Sequence, residues 1–482
     1  MNILAISLLR LGDLIQHKRI LLQIKKKHPN ATLHLLCYEE FANIKFYLED
    51  IVDHFHFLNR SEISSYAKKD KNFNEASFVL KQLPDLFRCH FQWVYNLTHN
   101  RFSALLSGIF FEAQKKGLYF ENNQFQDLSF PWLRYFNDAF SGEGKSVFSY
   151  VESLSQSLQL EEILNSNKKY APVLQNESGP VVIQPLTSDL KKNWSLEKFV
   201  ELSDRIRSEL KLEVVFLCAP FEKEVLTKQL SSSQAIACLP LADATQFLKS
   251  ARLLVTGDTS IKHIAADLGL PMVELVLGSS DKIKNQALTP FRNTVISLEP
   301  CHPCTHRQAC YQASHLCSQD ISVQQVFNQV QRSLNREFII ESTALKLEKS
   351  VWQAYLNKQS QSLCKVIFSL TTDLELESIS ITCEKLKELC TRFSNTSHNQ
   401  VYVLQDLQNF LQQTTPYDSG FYSNRLKLYL NSLKESQKLD FFKVHQALLE
   451  IKNLILIKEK LIEELTNERR IARKNEGDHT LV

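Results

Sequence analysis

Leu254-Val255-Thr256-Gly257-Asp258-Thr259-Ser260-Ile261-Lys262-His263 reads as a buried β-strand that breaks at a glycine and passes straight into a helix. The β-rich run ends at Gly257, and residues 264–268 continue as a helix stopped by Gly269 and Pro271. Thr259 and Ser260 therefore occupy a helix start, where unpaired backbone N–H groups and hydroxyls can hold a phosphate. His263 follows about one helical turn on, in reach of the same place. Alone, a histidine there is more often a packed core residue.

The same strand–turn–helix unit recurs on both sides of this stretch. Upstream, residues 2–8, 32–37 and 93–97 are strands and 14–27 a helix ending before Pro29. The pattern restarts with strands at 180–184, 213–218, 253–256 and 272–277, and a helix at 196–209. Strands alternating with helices predict parallel α/β sheets. The expected architecture is two Rossmann-like domains facing a cleft, over residues 1–165 and 166–335, with 165–178 as the linker. Beyond residue 335 glycine almost vanishes and Leu, Lys, Glu, Ser and Gln dominate, which predicts a helical extension over 336–482. Its apolar stripe of Val444, Leu448, Ile451, Ile455, Ile462 and Leu465 is broken by Lys458, too short a repeat for a coiled coil and suited to a helical bundle.

Composition narrows the function. The chain has 482 residues, too many for one core, with 44% hydrophobic and 23% charged residues, as in a soluble globular protein. A net charge of +3 gives no general nucleic-acid surface. No apolar run approaches the roughly 20 residues of a membrane span. The opening apolar run lacks a basic start and a cleavage site, so it reads as a first strand and the expected location is the cytoplasm, peripheral to the membrane at most. The 11 cysteines are then thiols or metal ligands rather than disulfides. G-x-G-x-x-G is absent, and Gly144-Lys145-Ser146 is not a P-loop because Ala139 stands where its first glycine is required.

Two further segments carry chemistry. Arg10-Leu11-Gly12-Asp13 follows the first strand at the carboxyl edge of the sheet, where ligands collect. There Gly12 permits a tight turn, and Asp13 either faces the cleft or merely caps the helix. Val182-Ile183-Gln184-Pro185-Leu186-Thr187-Ser188, then Lys191-Lys192-Asn193-Trp194, supplies hydroxyls and cations suited to a diphosphate. In isolation such lysines are more often solvated.

Taken in order, these segments resemble glycosyltransferase family 9, the heptosyltransferases of lipopolysaccharide core assembly. The R-x-G-D turn is matched by Arg10 to Asp13. Asn96-Leu97-Thr98-His99-Asn100-Arg101 matches the segment after a central strand, and Lys192-Asn193-Trp194 matches K-x-W. Phe216-Leu217-Cys218-Ala219-Pro220-Phe221-Glu222 is similar to the strand leading to an acidic residue. Asp258 to His263 matches D-T-G-x-x-H, Gly278-Ser279-Ser280 stands for G-P-T, and Cys301-His302-Pro303-Cys304 repeats C-x-P-C. The resemblance covers roughly residues 1–335. The chain departs from it at Ser260, where the family has glycine, at Cys218-Ala219, where it has Gly-Gly, and in the basic Gln16-His17-Lys18-Arg19 after Asp13.

The resemblance implies the glycosyltransferase B fold and an inverting transfer without a catalytic cofactor. The donor it implies is a nucleotide sugar such as ADP-heptose, and the acceptor a lipopolysaccharide core or related surface glycan at the inner membrane. Asp13 would be the general base, and Thr187, Ser188, Lys192, Thr259 and Ser260 would hold the leaving diphosphate. Glu222 would hold the ribose, Asp258 and His263 would order the donor site, and Arg10, Asn96 and Arg101 would face the acceptor. Two alternatives stay open: a degenerate transferase serving as a scaffold, and a same-fold transferase with a protein acceptor. Cys301, Cys304, Cys310 and Cys317, interleaved with His302, His306 and His315, fit a structural zinc or iron as readily as four reduced thiols.

Overall fold

A computed structural model describes residues 1–69, 79, 82–122, 124–126, 130–140, 146–160, 176–299, 301–305, 309–310, 312, 314–338, 349, 353 and 356. Met1–Glu143 with Phe148–Ile340 form one compact unit, and Gly144–Val147 with Glu341–Val482 form a second. The stripe from Val444 to Leu465, and all but a few residues of the expected helical extension, lie outside the described residues.

The first unit contains two parallel sheets. Strands β1 (Asn2–Ser7), β2 (Thr32–Tyr38), β3 (His54–Leu58), β4 (Phe91–Asn96) and β5 (Gln114–Lys116) lie in the order β3-β2-β1-β4-β5. A short antiparallel ribbon, β6 (Tyr119–Glu121) and β7 (Gln124–Gln126), follows. Strands β8 (Val181–Gln184), β9 (Val214–Cys218), β10 (Ala235–Cys238), β11 (Leu253–Thr256), β12 (Met272–Val276) and β13 (Arg292–Ile296) lie in the order β10-β9-β8-β11-β12-β13. Each half thus has the Rossmann order, and the α/β class expected from the sequence is the one observed. The central strands are continuous apolar runs because helices cover both faces of a parallel sheet. Glu274 interrupts the otherwise apolar β12, as His34 interrupts β2 and Gln92 β4.

In both sheets the strand order reverses beside the first strand, between β1 and β4 and between β8 and β11. Connections leave these neighbours toward opposite faces, which opens a crevice at the strands' carboxyl ends. The segments singled out in the sequence emerge there: Arg10 to Asp13 after β1, residues 185–192 after β8, and residues 257–260 after β11.

The helix after β1 runs Leu11–Lys27, a turn earlier than the sequence pattern predicts. Arg10 is its N-cap and makes no side-chain capping bond. Asp13 is therefore not the cap but an acidic residue in the first turn, where the helix dipole favours it. Gly12 forms no tight turn, since it too lies inside the helix. A Cβ built on it would stand 3.9 Å from the Ser260 Cα. The starts of the Leu11–Lys27 and Ser260–Asp267 helices therefore approach across the cleft.

One apolar cluster crosses between the halves, from Ile3, Leu14 and Leu33 to Leu254, Ile264 and Met272. Polar contacts pin the same seam. Arg19 Nε donates to Asp267 Oδ1 at 2.8 Å, its Nη2 donates to the Leu288 carbonyl, and Tyr47 Oη donates to Asp267 Oδ2. Asp267→Ala leaves the buried Arg19 guanidinium short of its counter-charge. It should cost about 1.5–3 kcal/mol, as for other hydrogen bonds to charged groups, measured by urea unfolding. An unchanged midpoint would show that the seam rests on its apolar contacts alone.

Candidate active site

The site draws a carboxylate, Asp13, from one half and a set of cations from the other. Asp13 projects from the first turn of the Leu11 helix. Burial, aided by the nearby charge of Asp258, pushes its carboxyl up to about 6, against the lowering influence of the Arg10 backbone and the Arg10 and Lys192 charges. A carboxyl of this kind is ionised at neutral pH yet basic enough to accept a proton from a hydroxyl in a transition state. Arg10 itself is exposed at the helix start.

Across the cleft runs a line of charges. Lys192 Nζ meets Asp258 Oδ2 at 2.6 Å, and Lys262 Nζ meets Asp258 Oδ1 at 2.6 Å. Lys262 also meets Glu274 Oε1 at 2.7 Å, and Arg292 stands 3.5 Å from Glu274 Oε2. Burial opposes charge on Asp258, but Lys262 and Lys192 outweigh it and hold the carboxyl well below the usual carboxylate range. Lys262, fully buried, is opposed by the same desolvation and is held charged by Asp258 and Glu274. Sequence reading placed Asp258 and Lys192 in the site but missed Lys262, Glu274 and Arg292. The available signals were a lysine on the buried side of a short helix and a glutamate inside an apolar strand. His263 is buried, and desolvation drives its pKa far below the ordinary histidine value, so it is neutral.

The loop after β8 is built to present Lys192. The Thr187 amide donates to Asn193 Oδ1 and its hydroxyl to the Asp189 carbonyl, so this hydroxyl is engaged within its own turn, whereas Ser188 is exposed. Ser279 Oγ donates to Asp189 Oδ2, and Cys304 N donates to the Gly278 carbonyl. Gly278 has φ +63, and a Cβ there would lie 2.0 Å from the Lys191 carbonyl oxygen. Only glycine permits that approach. Thr259 caps the Ser260 helix without a side-chain capping bond, with its hydroxyl 3.3 Å from that of Thr256.

Two expected contributors are placed differently. Asn96 is buried, and its amide donates to Ser103 Oγ and the Leu118 carbonyl while its oxygen accepts from the Thr98 amide. It orders the turn after β4 rather than offering a group to an acceptor. Glu222 accepts the Ala219 amide at 2.8 Å, and burial raises its pKa, so one oxygen closes its own turn. Arg101 opens the Arg101–Ile109 helix on the exposed surface.

The cysteine segment converges. Cys301, Cys304, Cys310 and Cys317 line one small cavity with His302, His315 and Lys191. The buried His302 Nε2 has no hydrogen-bond partner among the described residues. No group of three or more His, Cys, Asp or Glu among the described residues is arranged to hold a metal ion. No helix among the described residues is long and apolar enough to cross a membrane.

Residues 138–315 match the family model of glycosyltransferase family 9 (heptosyltransferase). The match agrees with the resemblance read from the sequence motifs and supports a glycosyltransferase. No curated protein matches the chain. Among solved structures, a glycosyltransferase family 9 protein from Veillonella parvula is 14% identical with a TM-score of 0.50, covering 69% of this chain and 97% of its own. The ADP-heptose lps heptosyltransferase II of E. coli is 17% identical, covering 70% and 99%, with a TM-score of 0.46. The iron-containing dodecameric glycosyltransferase TibC of enterotoxigenic E. coli is 15% identical, covering 69% and 76%, with a TM-score of 0.41.

Lys262→Met should cost about 3–5 kcal/mol in urea unfolding, because Asp258 and Glu274 would lose a buried counter-charge together. A loss below about 1 kcal/mol would mean that water or rearrangement already serves those carboxylates.

Proposed function

We propose that this chain is an inverting glycosyltransferase that moves a heptose-like sugar from ADP-heptose, or a similar nucleotide-diphosphate sugar, to a lipopolysaccharide core or related surface glycan. The observation that carries this reading is the facing of the two crevices. A carboxylate of raised pKa stands at the edge of one sheet, opposite a lysine and an open helix start at the edge of the other. That is the division of labour a single displacement needs. The acceptor hydroxyl gives its proton to Asp13 as its oxygen attacks the anomeric carbon. The bond from that carbon to the diphosphate breaks on the opposite side, and its electron pair leaves with the phosphate.

Lys192 would share its charge between Asp258 and the departing phosphate, and the backbone N–H groups of the Ser260 helix would take up the rest. Ser188 and Thr259 lie at the same edge as hydroxyl donors. Asp258 would then aim Lys192 rather than bind sugar, and His263, neutral and buried, would support the donor side by packing. The reaction would take place in the cytoplasm, with the acceptor presented at the inner membrane surface.

Asp13→Asn should lower transfer from ADP-heptose roughly 100-fold or more while leaving nucleotide affinity unchanged. Near wild-type turnover would remove Asp13 from the mechanism. In the wild type, kcat/KM should rise with pH through a midpoint near 6. Below it Asp13 is protonated and cannot act as base, and above it the carboxylate is free to do so. A flat profile between pH 5 and about 7 would contradict this assignment.

A structural zinc or iron on Cys301, Cys304, Cys310 and Cys317 is a second element of the reading: the four line one cavity, but no three are gathered as ligands in this structure, so binding would have to draw them together. Thiolates suit both metals. Such a group would order the loop that braces Lys191 and has no step in the transfer. Purified protein should carry about one equivalent by elemental analysis, as one closed four-thiolate site predicts. Metal-free protein of full stability with four titratable thiols in this segment would establish reduced cysteines instead.

A further inference from the structure

Behind Asp13 lies a buried polar line that the transfer reaction as described does not use. His17 stands four residues after Asp13 on the Leu11–Lys27 helix, so the two share a helix face. His17 is fully buried. Its Nδ1 lies 2.8 Å from Ser7 Oγ at the end of β1, and its Nε2 lies 2.9 Å from Tyr150 Oη. Tyr150 opens the Tyr150–Ser157 helix, its ring held among Phe136, Phe140 and His17. Its amide donates to the Lys284 carbonyl of the other half, which ties it to the cleft.

Counting protons gives this line a direction. Desolvation keeps His17 neutral, with its pKa lowered to about 3, so one ring nitrogen donates and the other accepts. Ser7 is buried, and its hydroxyl has no partner among the described residues other than His17. If Nδ1 carried the proton, Ser7 would only accept, and its own O–H would be stranded, at a cost of about 1–3 kcal/mol. Ser7 therefore donates to Nδ1, and Nε2–H donates to Tyr150 Oη. The Tyr150 O–H is then left over, on a half-buried ring at the cleft, with His17 as the sole described partner of its oxygen. Asp13 stands one turn before His17 on the same helix face, so its charge bears on that hydroxyl and adds to the upward push of burial on the Tyr150 pKa, although no hydrogen bond joins Asp13 and Tyr150 in this structure.

We propose that Ser7, His17 and Tyr150 form a one-directional line of hydrogen bonds that aims the Tyr150 hydroxyl proton at the Asp13 carboxylate, where the attacking oxygen must sit. Tyr150 is then a positioning residue for the base. The line keeps the carboxylate ionised and turned toward the acceptor, and the role rests on Asp13 being that base. The other charges bearing on Asp13 are Arg10 on its own helix and Lys192 and Asp258 from the facing half. On the packed helices, Asp267 is paired with Arg19, Lys262 with Asp258 and Glu274, His263 is neutral, and Glu152 caps its own helix.

The test follows the Asp13 carboxyl carbon by NMR in aspartate-labelled protein, assigned with Asp13→Asn, so that it works with or without turnover. Tyr150→Phe keeps the ring and its packing and removes only the hydroxyl. Its Asp13 midpoint should rise by about one pH unit, with an unchanged melting temperature. Ser7→Ala touches neither Tyr150 nor Asp13, yet it should move the midpoint in the same direction by less. Where transfer is measured, Tyr150→Phe should lower kcat about tenfold with the donor KM unchanged. An Asp13 midpoint unmoved in Tyr150→Phe overturns the proposal whether or not ADP-heptose is a substrate. A midpoint shifted in Tyr150→Phe but not in Ser7→Ala overturns the directed line. Failure of the wild type to transfer heptose, with both shifts present, would count against the functional reading alone.

Discussion

Asp258 is held between two lysines, and most of the site depends on that arrangement. A carboxylate so deeply placed is tolerable only because Lys192 and Lys262 each approach to 2.6 Å. The fully buried Lys262 is tolerable in turn only because Glu274 takes its other side, with Arg292 behind. At one end of the line stands Lys192, in the loop after β8. Its ammonium is thus held at a fixed place at the cleft edge before any donor arrives. Preplacement is what makes a cation effective against charge that appears only as a bond breaks.

The same line reaches the opposite half through the electric field. Asp258 raises the pKa of Asp13, Lys192 lowers it, and burial sets the dominant upward push. A donor diphosphate that draws on Lys192 would weaken the one nearby charge from that half which favours the Asp13 carboxylate. Donor binding and basicity would then be coupled across the cleft: the base would strengthen as the leaving group is seated.

Legibility in the sequence followed locality. The strands were readable because β1, β8 and β11 are unbroken apolar runs, and the crevice residues because they lie directly after those strands. The Leu11 helix was read as starting late because Gly12 looked like a turn, whereas it lies inside the first turn of the helix. Asn96 matched a motif, but its amide is spent on Ser103, Leu118 and Thr98, none of which a motif reveals. Lys262 and Glu274 are twelve positions apart and become partners only when β12 lies beside β11. Tyr150 is farther still, 133 positions from His17. Side chains that act within one turn announce themselves, and those that act through a partner contributed by another element do not.

The seam between the halves has a consequence for descent and for engineering. In a two-lobed enzyme with a shallow contact, one lobe can be exchanged for a relative's to recruit a new acceptor. Here Arg19, Tyr47 and Tyr150 reach Asp267, Leu288 and Lys284, and one apolar cluster runs through both lobes. A transplanted lobe would arrive with the wrong half of each pairing and leave buried charge without an answer. Acceptor preference in this lineage is therefore expected to drift by changes in the loops at the cleft mouth, while the two lobes are inherited together.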